Sequence, residues 1–125
     1  MTDLPLFVYG TLMHDQPAFG LFAAAGAHHL RAQLLNASLY TVGRYPIAAD
    51  GDGVIHGEVH WLQSDNQVAL LQQLDAYEGD EYTRVRRRVI LETSEAVEAW
   101  VYLGDPLYAA QYQPIPSGDW RKREN

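Results

Sequence analysis

Glu78 falls where a predicted helix over 64–77 gives way to Gly79, and the position gives its carboxylate a particular electrostatic setting. A carboxylate at a helix C-terminus faces the negative end of the helix dipole, and Asp75, Asp80 and Glu81 add like charge beside it. Both effects raise its affinity for a proton, the direction that a general acid–base working near neutral pH needs. A solvated glutamate at a helix end is the plainer account of the same residues, and alone they leave both open. The loop Tyr9-Gly10-Thr11-Leu12 is the other candidate: it directly follows a buried strand, and Gly10 frees the main chain to present successive N–H groups to an anion. A simple strand-ending turn would read the same way. The loop's hydroxyl belongs to Thr11, and neither a Gly-x-Ser-x-Gly elbow nor a phosphate-binding glycine loop occurs in the chain.

Three further patterns carry weaker chemistry. His56, Glu58 and His60 alternate along one face of a predicted strand, where imidazoles and a carboxylate could in principle hold a transition metal. Alternation also puts polar residues on the wet face of any half-buried strand, and the helical His-Glu-x-x-His pattern is missing, so no metal is expected. Asp50-Gly51-Asp52-Gly53 hints at a calcium loop but lacks the third acidic position and the distal glutamate; it reads as a turn. The run Thr83-Arg84-Val85-Arg86-Arg87-Arg88 could grip a phosphate or carboxylate, yet a strand divides it between two faces. Exposed arginines facing acids such as Glu92 or Glu98 are the simpler expectation.

Composition narrows the partners. A formal net charge of −7 would repel a polyanion, so neither nucleic acid nor an anionic membrane surface is an expected partner. The absence of cysteine removes disulfides, thiolate nucleophiles and zinc-thiolate sites together. The start Met1-Thr2-Asp3-Leu4-Pro5 has neither the basic residues nor the apolar run of a signal peptide, so a cytoplasmic location is expected. With 125 residues, 47% of them hydrophobic, a single domain over 1–125 is expected, monomeric by default.

The elements that must position these residues are short and mixed. Leu6-Phe7-Val8-Tyr9 reads as a buried strand; Pro17 can open a short helix through Phe19, Leu21 and Phe22; residues 30–42 suit a strand. After the turn at 50–53, residues 54–62 alternate, with Ile55, Gly57, Val59 and Trp61 to one side. Ser64 and Gln67 form a capping-box pattern ahead of Val68, Leu71, Leu74 and Tyr77, the signature of the principal helix. Strands over 82–93 and 96–103 follow, and the charged tail 121–125 is expected to fray. The pattern is α+β: a small mixed, mostly antiparallel, barrel-like sheet with flanking helices.

Several segments together resemble one family. Leu6-Phe7-Val8-Tyr9-Gly10-Thr11-Leu12 resembles the opening signature of the γ-glutamylcyclotransferase-like family, which includes avirulence-induced-gene-like and YtfP-like proteins. Leu74-Asp75-Ala76-Tyr77-Glu78-Gly79 with Tyr82-Thr83-Arg84 resembles its second signature. Gly43-Arg44-Tyr45-Pro46, Val54-Ile55-His56-Gly57-Glu58-Val59, Ala99-Trp100-Val101-Tyr102 and Ser117-Gly118-Asp119-Trp120 follow in the family's order, so the resemblance covers nearly the whole chain. It implies a barrel of about six strands and an enzyme that cyclises a γ-glutamyl group to 5-oxoproline, releasing the attached amine without a cofactor. By the same resemblance Glu78 is the proton shuttle, the backbone of Tyr9-Gly10-Thr11-Leu12 grips the γ-glutamyl moiety, and Tyr82 and Tyr45 line the pocket. Leaving-group choice would fall to loops such as 14–19 and 107–115. A non-catalytic small-molecule binding domain of the same fold is the alternative.

Overall fold

Two long strands, β2 (Gly26–Thr41) and β3 (Pro46–Leu62), form a hairpin that reaches across the whole sheet. The structure is a computed structural model and describes residues 4–10, 26–43, 45–62, 67–78 and 82–122. Period-two alternation brings Leu30, Ala32 and Leu34 of β2 opposite Val59, Gly57 and Ile55 of β3 on one face. Ala32, Leu34, Ile55 and Val59 are all buried there. The remaining strands are β1 (Leu6–Val8), β4 (Thr83–Leu91), β5 (Ala96–Leu103) and the short β6 (Gln113–Pro114). Their order is β3-β1-β5-β4-β2-β6, and the β2–β3 pairing closes the first five into a barrel. β1 and β5 run parallel and every other pair is antiparallel. Closure leaves none of the five as an open edge.

The segment Asp50-Gly51-Asp52-Gly53 does not turn the chain. It lies inside β3, where Asp50 pairs with Ala37 and Val54 with Leu35, so Gly51, Asp52 and Gly53 face Asn36 alone in a bulge. Asn36 takes a left-handed φ of 60° to match. The glycines answer to crowding: a Cβ on Gly51 would lie 2.7 Å from Ser38 Oγ, and one on Gly53 2.9 Å from the Ala37 carbonyl.

The helix α1 spans Gln67–Glu78, with Leu71 and Leu74 buried as their spacing predicts; Ser64 and the short helix expected after Pro17 lie outside the described residues. Expected to be a loop, 107–115 instead holds β6 and most of α2 (Pro106–Ala109). Asp105 caps α2 by accepting the Tyr108 N–H at 3.0 Å, and Pro106 occupies a first-turn position where its missing N–H costs nothing.

The C-terminal segment is part of the fold and not a frayed tail up to Lys122. Trp120–Lys122 form a 3₁₀ turn with Trp120 buried, and the Gly118 carbonyl accepts the His56 N–H at 2.7 Å. Gly118 has φ +70°, and a Cβ there would fall 1.8 Å from the Val54 carbonyl oxygen. Gly118→Ala therefore combines left-handed strain with a backbone clash, and should cost about 3 kcal/mol in urea unfolding. An unchanged unfolding midpoint would mean that the segment is not tied into the cooperative unit.

Candidate functional site

At the end of β1 the chain runs against the start of β3. A Cβ on Gly10 would meet Pro46 Cγ at 2.5 Å and Cδ at 2.8 Å, so this position excludes any larger residue. The reason differs from the sequence expectation: among the described residues the left-handed glycines are Gly43 and Gly118, and Gly10 is needed for close approach. Tyr82 donates its hydroxyl hydrogen to the Pro46 carbonyl at 2.5 Å, and its ring lies 6.4 Å from that of Tyr45. Gly10, Tyr45 and Tyr82, three residues singled out from the sequence, are thus joined through Pro46, to which the sequence assigns no role beyond membership of the Gly43-Arg44-Tyr45-Pro46 segment. Tyr9 is buried with its hydroxyl on the Tyr102 carbonyl, so its side chain is part of the core. Thr11, Leu12 and the Glu78 side chain lie outside the described residues.

Glu78 is the last residue of α1 and Tyr82 stands four positions further on, a separation the chain can stretch to no more than about 14 Å. One turn earlier, Asp75 accepts from Arg84 Nε at 2.9 Å, from Arg84 Nη2 at 3.3 Å and from the Tyr102 hydroxyl at 2.6 Å. Arg84 holds the Asp75 carboxyl below its ordinary range by hydrogen bonding, aided by Tyr102 and opposed by partial burial. The like charge that the sequence places beside Glu78 is thus partly answered by a guanidinium. Arg87 pairs with Asp50 at 3.3 Å, while Glu92 accepts the Arg31 main-chain N–H and Glu98 sits opposite Arg88 in the β4–β5 register.

His56, Glu58 and His60 do not converge on a common point. Glu58 and His60 are buried rather than on a wet face, and they bond to each other at 2.9 Å. Arg121 Nη2 takes the second Glu58 oxygen at 2.5 Å, whereas His56 Nδ1 lies 3.5 Å from Gln33 Nε2. Among the described residues no three His, Cys, Asp or Glu are grouped to hold a metal ion, and no helix is long and apolar enough to cross a membrane. A cleft of about 580 Å³ opens between β2, β3, the β4–β5 turn and the C-terminal segment, lined by groups of both signs such as Arg31, Glu92, Asp119 and Lys122. Neither Gly10 nor Tyr45 nor Tyr82 lines it.

Residues 6–122 match the family model described as gamma-glutamyl cyclotransferase, AIG2-like. The chain belongs to this family. It is 36% identical to the gamma-glutamylcyclotransferase family protein YtfP of Escherichia coli (strain K12) over 129 aligned positions, covering 95% of this chain and 97% of that one. Among solved structures, YkqA from Bacillus subtilis superimposes with a TM-score of 0.75 at 25% identity, over 97% of this chain and 40% of YkqA. An AIG2-like protein from Mus musculus shares the fold with a TM-score of 0.64 at 22% identity, over 87% and 81% of the two chains. The family's closed mixed barrel is the fold described above.

Sequence reasoning missed the Asp75–Arg84–Tyr102 contact and the buried Glu58–His60–Arg121 group. The first had a usable signal, because Asp75 and Arg84 both stand inside the second signature. Because the folded Asp75 carboxyl titrates below its ordinary value of 3.8, its contribution to stability is present above that pH and is lost as pH falls through the folded value. Asp75→Asn should therefore lower unfolding free energy near neutral pH by about 1 kcal/mol or less, the half-exposed pair being screened. The gap between variant and wild type should narrow on titration below pH 3.8; a gap independent of pH would assign the effect to packing.

Proposed function

We propose that the chain is a γ-glutamylcyclotransferase-type enzyme that cyclises a γ-glutamyl-amine or γ-glutamyl-amino acid to 5-oxoproline and releases the amine. The packing of Gly10 on Pro46, whose carbonyl accepts the hydroxyl of Tyr82 four positions after the helix residue Glu78, is the observation that supports this reading in a chain of this family. The substrate is a small molecule and the chemistry needs no metal or organic cofactor.

In this reading Glu78 takes a proton from the substrate's α-ammonium group. The freed amine attacks the γ-carbonyl carbon, closing the five-membered ring with a new C–N bond. Glu78 then returns the proton to the leaving nitrogen as the original amide C–N bond breaks, and the ring nitrogen passes its one surplus proton to the departing amine, so that 5-oxoproline and the ammonium form of the amine are produced with the carboxylate restored. The attack is intramolecular, and holding the γ-glutamyl chain folded supplies much of the acceleration. Main-chain N–H groups of the loop Tyr9-Gly10-Thr11-Leu12 bind the anionic end of the substrate, and Tyr45 and Tyr82 border it. Glu81 has no assigned role.

Incubation with a panel of γ-glutamyl compounds should yield 5-oxoproline from at least one of them. Gly10→Val should abolish binding of that compound by driving the side chain into Pro46, while Thr11→Ser is tolerated, as calorimetry would show. Tight binding across the panel with no 5-oxoproline would instead identify a non-catalytic binding domain, and a Gly10→Val protein that binds like wild type would remove the loop as the cradle.

A further inference from the structure

Tyr102 touches both halves of the proposed site from one position on β5. Its hydroxyl donates to Asp75 Oδ1 at 2.6 Å, and Asp75 is one helical turn before Glu78. Its carbonyl accepts the hydroxyl of Tyr9, the residue next to Gly10. Tyr102 is buried, and its neighbour Trp100 on the same strand lies beneath the Arg84 guanidinium, 4.5 Å from the ring centroid. Arg84 in turn makes a two-toothed contact with Asp75, through Nε at 2.9 Å and Nη2 at 3.3 Å. The guanidinium is held between an aromatic face and a carboxylate that it meets through two nitrogens, an arrangement that lysine cannot reproduce.

We propose that Asp75, Arg84 and Tyr102 form a positioning clamp that fixes the last turn of α1, and with it Glu78, relative to the loop that begins at Gly10. The clamp rests on the reading of Glu78 as the proton shuttle. It is built of hydrogen bonds at both ends of Tyr102 and of a two-nitrogen contact at Arg84, so it sets orientation as well as distance. A proton shuttle must reach first the α-nitrogen and then the leaving nitrogen, and a displacement of about 1 Å can cost ~100-fold in rate. The residues of the clamp touch no reacting atom and act through Glu78 alone.

Tyr102→Phe is the discriminating variant, because it removes the bond to Asp75 while keeping the buried ring and the carbonyl that accepts from Tyr9. On a γ-glutamyl compound turned over by the wild type, it should lower kcat about 10- to 100-fold with KM changed less than about twofold. Arg84→Lys should fail to preserve kcat. Introduced on top of Glu78→Gln, Tyr102→Phe should cost nothing further, since both changes remove the same function. An undiminished kcat in Tyr102→Phe, or losses that multiply in the double variant, would overturn the clamp. If the wild type releases 5-oxoproline from no γ-glutamyl compound, the enzyme reading fails separately, and amide hydrogen exchange over 76–78 decides the clamp: faster exchange in Tyr102→Phe supports it, and unchanged exchange overturns it.

Discussion

The bulge at Gly51–Gly53 allows a single strand to serve both ends of the barrel. Beyond it, β3 pairs with β1 through His60, Val59 and Glu58; before it, β3 pairs only with the far half of β2 and offers the Ala48 carbonyl to Gly104 at the end of β5. A straight strand of 17 residues would run past the sheet, whereas a bulge bends and twists it. The contact of Gly10 with Pro46 follows, since Pro46 opens β3 and Gly10 leaves β1 toward it. Closure of the barrel rests on the half of the hairpin beyond the bulge, and the candidate site lies at the half before it.

Outside the barrel interior, charge is handled by pairing. Glu58 is fully buried with His60 and Arg121 on its two oxygens, so the C-terminal segment supplies the cation that a buried carboxylate requires. Removing only one partner of such a group leaves the other buried and unpaired, the costly case. Asp75 is treated more lightly: half-exposed, it spends its oxygens on Arg84 and Tyr102 to join α1 to β4 and β5. One pairing secures the C-terminus and the other secures the helix that ends in Glu78.

Where periodicity carried the information, the sequence was readable. The strand over 96–103 is found at those bounds, β1 differs by one residue, and Leu71 and Leu74 face inward as their spacing requires. The Asp50-Gly51-Asp52-Gly53 segment was misread because glycines that admit a neighbouring backbone look the same, residue by residue, as glycines that reverse the chain. Gly10 shows the same ambiguity, and only Pro46 resolves it. The polar residues of β3 were read as solvent-facing because Arg121, which makes burial of Glu58 tolerable, stands 63 positions away. Asp75 and Arg84 are only nine positions apart and share one signature, a signal that places them in the same motif without saying that the helix and the next strand meet through them.

The most direct measurement is the separation of binding from turnover in Glu78→Gln, which keeps the side chain's size and hydrogen-bonding shape but cannot accept a proton. Calorimetry should show the γ-glutamyl ligand bound about as tightly as by wild type, while kcat for 5-oxoproline release falls by about 10²–10⁴-fold. Glu81→Gln, which removes the same charge nearby, should lose little. A Glu78→Gln protein that forms 5-oxoproline at the wild-type rate would contradict the account and move the proton chemistry to another residue.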